Sequence, residues 1–145
     1  MKISRIDIYK LNLAFRKPLK VAIGETLAVE NVAIKITTDS GLEGWGEASP
    51  CCPYITGDLQ ATCYATAQHL GRLILGKDPL AIENRMREIN GSIAGEPTIR
   101  SAFDIALYDI AAKAANMPLY QFLGGEKREL RTDLTIGLQD TGEQT

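Results

Sequence analysis

Residues 101–125 read SAFDIALYDIAAKAANMPLYQFLGG, an alanine-rich helix pattern followed by two stop signals. Four residues recur at i, i+4, i+7 and i+11, the spacing of one helix face. They are Phe103, Leu107, Ile110 and Ala114. The other alanines favour helix formation and let a neighbouring element approach closely. They are Ala102, Ala106, Ala111, Ala112 and Ala115. Asn116 suits a left-handed cap and Pro118 cannot continue the helix, so we expect it to end there.

A second, shorter helix is predicted directly after the first. Pro118 suits the first helical position, and residues 119–123 follow it. Gly124 and Gly125 then end the segment. No GxxxxGK[ST] pattern accompanies these glycines, so they indicate a stop and not a phosphate loop.

Three strand patterns precede the helices. Ile6 and Ile8 alternate with polar residues, and the alternation continues after a one-residue slip at Leu11 and Leu13. A second strand carries Val32, Ile34 and Ile36, and residues 38–41 form a turn signal after it. A third strand, residues 42–48, contains glycines at 44 and 46, which allow a bulge or a close backbone contact. We therefore predict an antiparallel meander.

The pattern changes to a helical period from Asp58 onwards. One face of the first helix collects six residues before Gly76. They are Leu59, Thr62, Cys63, Thr66, Ala67 and Leu70. Asp78 and Pro79 form an N-cap and N1 pair for a helix that runs to about Asn90. Residues 91–95 are a loop before the alanine-rich helix. Strands followed by helices predict the α+β class, a three-stranded meander followed by a helical bundle.

Composition excludes several kinds of protein. The chain has 145 residues, 45% hydrophobic and 23% charged, which is typical of an ordinary globular domain. A net charge of −2 argues against nucleic acid or an anionic membrane as the main partner. Cys51, Cys52 and Cys63 lack CxxC spacing and fit reduced thiols in the cytoplasm. His69 is the single histidine, so a zinc site is not expected.

The last residues predict the start of another unit. Residues 131–138 (RTDLTIGL) have a strand pattern, and residues 140–143 have the spacing of a capping box. We therefore divide the chain into an α+β domain at 1–125 and a truncated unit at 126–145.

Six pieces in order carry a resemblance to a known family. They are MKISRIDIYKLNL, RKPLKVAIGET, GLEGWGEASP, YITGD, the stretch at 101–125 and TDLTIGL. Together they resemble the N-terminal third of an enolase-superfamily enzyme of the muconate-lactonizing and mandelate-racemase-like group. Within it, the chain most resembles the dipeptide epimerases, of the L-Ala-D/L-Glu epimerase kind.

The resemblance implies a fold and a chemistry. Residues 1–125 would cap a modified TIM barrel, and residues 126–145 would begin that barrel. The reaction would remove a proton α to a carbonyl, with Mg²⁺ holding the enolate and lysines acting as base and acid. Barrel enzymes carry such residues at strand ends, and a barrel takes about 250 residues. The resemblance thus places the lysines and all Mg²⁺ ligands beyond residue 145, so this chain alone is expected to be inactive. It also implies a dipeptide substrate and a homo-oligomer.

What the resemblance assigns to this chain is substrate choice by two cap loops, residues 21–26 and residues 50–57. The matching substrate-binding positions are Ala22, Gly24, Tyr54, Ile55 and Thr135. Relatives that act on Ala-Glu carry an arginine where this chain has Gly24. Glycine offers no charge-assisted bidentate bond to a glutamate side chain, so a dipeptide other than Ala-Glu is expected.

Plainer interpretations accompany these assignments. On sequence alone, Ile55 is more often a loop residue packed on the core, and Thr135 is usually just a strand former. Glu47 fits a structural hydrogen bond, and Asp109 with Lys113 fits a helix-surface pair.

Two other functions fit the same sequence. One is a muconate cycloisomerase, an o-succinylbenzoate synthase or an N-acylamino acid racemase of the same superfamily. The other is a non-catalytic α+β interaction domain.

Overall fold

A computed structural model of the chain describes residues 1–21, 24–51 and 53–134. The strands are β1 (Ile3–Val21), β2 (Gly24–Thr38) and β3 (Glu43–Ala48). The helices are α1 (Pro53–Thr56), α2 (Gln60–Ile74), α3 (Ile82–Ser92), α4 (Pro97–Ala114) and α5 (Leu119–Phe122). Within these ranges the strands form one antiparallel sheet in the order β1-β2-β3. The predicted α+β class and the meander followed by helices are confirmed.

The hairpin of β1 and β2 extends far beyond the third strand. β3 pairs only with residues 32–37, whereas β1 and β2 remain paired out to Val21 and Gly24. The far half of the hairpin is therefore a two-stranded ribbon that projects from the sheet. Its position explains why large apolar side chains on it are exposed, among them Leu13 (52%) and Leu27 (64%).

The predicted slip in β1 is wrong. Ile8 pairs with Ile34 and Leu11 with Asn31 in unbroken register, and the irregularities lie at residues 3–5 and 14–19. Since side chains alternate between the two faces of a regular strand, Leu11 and Leu13 lie opposite to Ile6 and Ile8. Only the two isoleucines pack against the core.

Helix α4 lies across the sheet at unusually short range. A Cβ placed on Gly46 would stand 1.9 Å from the backbone oxygen of Ala102, and one on Gly44 would stand 2.2 Å from that of Ala106. No side chain fits in that space, so the predicted close backbone contact at these glycines is confirmed. Small residues on both elements are what allow this packing.

The buried face of α4 largely follows its predicted stripe. Phe103, Leu107 and Ile110 have no exposed surface. Ala114 and Ala115 are exposed, so the stripe ends one turn earlier than predicted. The reason is that the sheet does not reach the last turn of α4, since β3 begins only at Glu43.

Helices α2 and α3 complete the core. Four of the six residues predicted for the buried face of α2 are buried, but Thr62 is exposed, and Leu59 is 51% exposed and precedes the helix. The predicted cap of α3 is wrong, because the helix begins at Ile82. Asp78 instead accepts a hydrogen bond at 3.0 Å from the backbone nitrogen of Leu80, which closes a separate turn before the helix.

The end of α4 matches the sequence prediction closely. Asn116 has a φ of 53°, the left-handed conformation expected of a helix stop. Pro118 is the residue before α5 and not its first helical residue. Residues 125–134 are described without regular secondary structure, so the first four residues of the predicted strand at 131–138 are not a strand. Residues 135–138 lie outside the described residues, and the domain boundary at 125 stays a prediction.

Two side chains of α4 satisfy the free edge of β3. Asp109 accepts a hydrogen bond at 2.9 Å from the backbone nitrogen of Trp45. Lys113 donates to the backbone oxygen of Glu43 and to Asp109, at 2.7 Å each. The pair is a helix-surface ion pair, as predicted, and it also covers backbone groups that would otherwise be open to another strand.

Candidate functional site

The described ends of the two predicted cap loops border one groove. Its volume is 410 Å³. It is lined by Glu25 and Thr26, from the end of the first loop, and by Pro50 and Cys51, from the start of the second. The ribbon of β1 and β2 brings the first loop there. Segments about 25 residues apart in sequence thus form one surface.

Apolar side chains dominate the described part of the groove. Phe15, Leu27 and Leu59 line it and are between 38% and 64% exposed. The described lining residues include Glu25 and Glu30 but no lysine, arginine or histidine. A concave apolar surface with few polar groups is the usual character of a small-molecule site.

Ile55 is strongly exposed, at 72% of its surface. It lies in α1, within the second loop. The alternative interpretation, a loop residue packed on the core, is therefore wrong. Its contact with a substrate stays a prediction.

Gly24 occupies the end of the hairpin, where it pairs with Val21. Its φ is +155°, and a Cβ there would meet no atom within 4 Å. Space is therefore open at this position, but the backbone conformation is one that side-chain-bearing residues rarely adopt.

Three other predicted site positions lie outside what the structure describes: Ala22, Thr135 and the side chain of Tyr54.

A polar network borders the groove on the sheet side. The Nε2 atom of Gln60 donates to Asn12 Oδ1 at 2.6 Å and to the backbone oxygen of Asn31 at 2.8 Å. The Nδ2 atom of Asn31 donates to Glu47 Oε1 at 2.5 Å. Glu47 thus makes the structural hydrogen bond that its position predicts. Gln60 and Asn31 were not predicted, because nothing in the local sequence pairs residues so far apart.

Asp58 fixes the end of the second loop. It is 5% exposed, and its Oδ2 atom accepts a hydrogen bond at 3.3 Å from the backbone nitrogen of Thr98, in the first turn of α4. Its own backbone nitrogen donates to Thr56 Oγ1 at 3.3 Å. The sequence indicated only a helix start at this residue. Its actual partner, 40 residues away, ties the loop to another helix.

Within the described ranges, one group of metal-ligand side chains comes together: Asp58, Cys63 and Glu96, whose ligand atoms lie within 4.8 Å of one another. Burial, together with the charges of the two carboxyl groups, raises the pKa of the Cys63 thiol to about 11. The thiol is therefore protonated at neutral pH. Mg²⁺ takes near-octahedral oxygen ligands, so this group does not fit magnesium.

No helix in the described part of the chain is long and apolar enough to cross a membrane.

A family model for the N-terminal domain of mandelate racemase and muconate lactonizing enzymes matches residues 5–124. The chain belongs to this family. The D-Ala-D/L-Ala epimerase of Cytophaga hutchinsonii is 36% identical over 97% of this chain and 38% of its own length. The L-Ala-D/L-Glu epimerase of Bacillus subtilis is also 36% identical, over 99% of this chain and 39% of its own length.

A solved structure has the same fold. The dipeptide epimerase from Cytophaga hutchinsonii, complexed with Mg and the dipeptide D-Ala-L-Val, superposes with a TM-score of 0.92 at 36% identity. The match covers 96% of this chain and 38% of that one. The fold is therefore that of an enolase-superfamily capping domain. This family member spans about two fifths of the length of the relatives that it matches.

Proposed function

We propose that this chain is the substrate-capping part of a Mg²⁺-dependent dipeptide epimerase. In that reaction a proton is removed from the α-carbon and returned to the enolate on either face. The observation that carries the proposal is the groove at which residues 25–26 and 50–51 meet, since both cap loops implied by the family resemblance border it. The two epimerases among the relatives support the same class of reaction.

The chain's own contribution is to binding. The exposed apolar side chains of the ribbon, together with the second loop, would cover the distal part of the substrate and exclude water from the reacting centre. Magnesium would supply charge stabilisation for the enolate. The described residues do not fit that ion, so we infer that its ligands belong to the part of the relatives that this chain does not match. On this proposal the chain alone has no epimerase activity.

The preferred substrate would be a dipeptide other than Ala-Glu. Gly24 provides no cation, and none of the described residues that line the groove is basic. Phe15, Leu27 and Leu59 instead offer apolar surface to the second residue of a dipeptide. Sequence identity alone does not choose the substrate, because the two 36% relatives are named for different dipeptides.

A chimera tests this preference. Residues 1–125 replace the matched region of the Bacillus subtilis L-Ala-D/L-Glu epimerase, and kcat/KM is measured for L-Ala-L-Leu and L-Ala-L-Glu. We expect the kcat/KM of the chimera to be about tenfold or more higher for L-Ala-L-Leu than for L-Ala-L-Glu. The reason is that Gly24 offers no charged hydrogen bond to the glutamate side chain, and such a bond contributes about 1.5–3 kcal/mol where it is present.

The matched variants are Gly24→Arg and Gly24→Ala. Both add a Cβ at the same strained φ, so the difference between them isolates the guanidinium group. Gly24→Arg should raise kcat/KM for L-Ala-L-Glu about tenfold relative to Gly24→Ala. A chimera that prefers L-Ala-L-Glu without the arginine would overturn the specificity proposal and leave the epimerase proposal standing.

A further inference from the structure

Three side chains from separate elements converge near the end of the second loop. Asp58 directly follows that loop, Cys63 lies in α2, and Glu96 directly precedes α4. One carboxyl oxygen of each acid and the Cys63 sulfur all lie within 4.8 Å of one another. Cys63 has no exposed surface, and Asp58 is 5% exposed. Two carboxyl groups and a thiol thus come together in a region that is shielded from water.

Hydrogen bonds leave this group of side chains unsatisfied. The buried Oε2 atom of Glu96 has no partner among the described residues. The fully buried thiol of Cys63 is a free cysteine, and no described side chain or backbone group bonds its sulfur. Asp58 uses its Oδ2 atom for the backbone nitrogen of Thr98. A cation that takes both oxygen and sulfur ligands would satisfy the carboxylate and the thiol together.

Arg100 does not take the place of such a cation. Its Nε atom is itself buried without a partner, so it is not hydrogen-bonded to Oε2 of Glu96. Its guanidinium instead donates to the backbone oxygen of Ile93. Burial, followed by the neighbouring Asp58, raises the pKa of Glu96, although Arg100 acts against this shift. The arginine therefore compensates only part of the negative charge.

Charge and geometry both suit a divalent cation. When Cys63 is ionised, the three groups carry three negative charges, which a divalent cation and Arg100 together neutralise. In a tetrahedral zinc site the ligand atoms lie about 2.0–2.3 Å from the metal and hence about 3.5 Å from one another. The three groups reach that spacing from within 4.8 Å by side-chain shifts of about 1 Å. A mixed sulfur and oxygen set favours a transition metal over magnesium or calcium.

We propose that Asp58, Cys63 and Glu96 form a binding site for one divalent transition-metal cation of the Zn²⁺ class, with water as the fourth ligand. As the sulfur–metal bond forms, the thiol releases its proton to solvent and no electron is transferred. The ion joins the end of the second loop, α2 and the start of α4. The site contains no histidine, so the single histidine of the chain did not indicate it. It rests on contacts within the cap, and its failure would leave the proposed function standing.

Metal titration of the 145-residue chain, first stripped of metal with EDTA, tests the site. Equilibrium dialysis should show one Zn²⁺ bound per chain. Co²⁺, used as a spectroscopic probe, should give the sulfur-to-metal charge-transfer absorption of a thiolate ligand. An excess of Mg²⁺ should displace neither ion, because Mg²⁺ prefers an all-oxygen octahedral site.

Two single variants remove one ligand each. Cys63→Ser and Glu96→Gln should each weaken Zn²⁺ binding at least about tenfold, the lower end of what the loss of a supporting group costs a metal site. Cys63→Ser should also abolish the Co²⁺ charge-transfer absorption. The matched control is the double variant Cys51→Ser/Cys52→Ser, which removes the other two thiols and should leave both results unchanged.

Circular dichroism checks that each variant is folded. If Cys63→Ser does not fold, Glu96→Gln carries the test, since it keeps every cysteine in place. A chain that retains no Zn²⁺, or an unchanged Zn²⁺ affinity in Glu96→Gln, would rule the site out. So would a Co²⁺ charge-transfer absorption that persists in Cys63→Ser or disappears in the double variant.

Discussion

Gly46→Ala is expected to cost more than about 3 kcal/mol of the free energy of unfolding, beyond the usual range for an overpacked site. The added methyl would stand 1.9 Å from the backbone oxygen of Ala102, whereas real contacts of this kind are not closer than 3.0 Å. No rotamer change relieves a clash with backbone. The strand and α4 must separate, which opens the core around Phe103. The total free energy of unfolding of a domain is only about 5–15 kcal/mol.

Gly91→Ala is the matched control for this substitution. Gly91 lies in α3, where an added methyl would meet no atom within 4 Å, and it does not need a left-handed backbone. Alanine there should be neutral or stabilise the chain by up to about 1 kcal/mol. Urea unfolding, monitored by circular dichroism, measures the free energy of unfolding of both variants. Equal effects of the two substitutions would contradict the close packing of β3 on α4.

Phe103→Ala is expected to destabilise the chain by about 3–5 kcal/mol, the range for removing a buried phenylalanine. Phe103 has no exposed surface and is among the largest fully buried side chains in the described residues. The loss combines the transfer of the ring to water with the cavity left behind.

Ile105→Ala provides the control on the same helix, because Ile105 is 44% exposed. Its effect should stay within about 0.5 kcal/mol, as for most surface substitutions. The midpoint of urea unfolding should fall for Phe103→Ala with little change in slope. A Phe103→Ala midpoint no lower than that of Ile105→Ala would place the core elsewhere.

The sequence was most informative where local chemistry determines the structure. The period of Phe103, Leu107 and Ile110 predicted the buried face of α4, and Asn116 predicted its end. Glycines at 44 and 46 indicated a close approach, since no other residue tolerates one. Each of these signals is contained within a few residues of the element that it describes.

One error arose where a partner far along the chain decides the outcome, and another where a local turn takes the place of a helix start. Leu11 and Leu13 looked like core residues, but the unbroken pairing with β2 turns them to the other face of the sheet. Asp78 resembled a helix cap, yet it closes a turn of its own. No local pattern distinguishes these alternatives.

The candidate site was predictable in part. The family resemblance selected both loops, and the structure brings their ends to one groove. The hydrogen bonds that hold the region together were not predictable, because Asp58–Thr98 and Gln60–Asn31 join residues that are distant in sequence. Ile55 is exposed as a substrate contact requires, and its role rests on the proposed function.

The central claim is that this chain confers substrate choice on a reaction whose chemistry lies elsewhere. The most direct measurement is α-proton exchange of dipeptides in D₂O with Mg²⁺, followed by ¹H NMR. It compares the 145-residue chain alone with the chimera that joins residues 1–125 to the Bacillus subtilis epimerase. We predict no exchange with the chain alone, and with the chimera exchange that is faster for L-Ala-L-Leu than for L-Ala-L-Glu. A folded chimera that exchanges no dipeptide, one that exchanges L-Ala-L-Glu at least as fast as L-Ala-L-Leu, or a chain that catalyses exchange by itself would contradict the account.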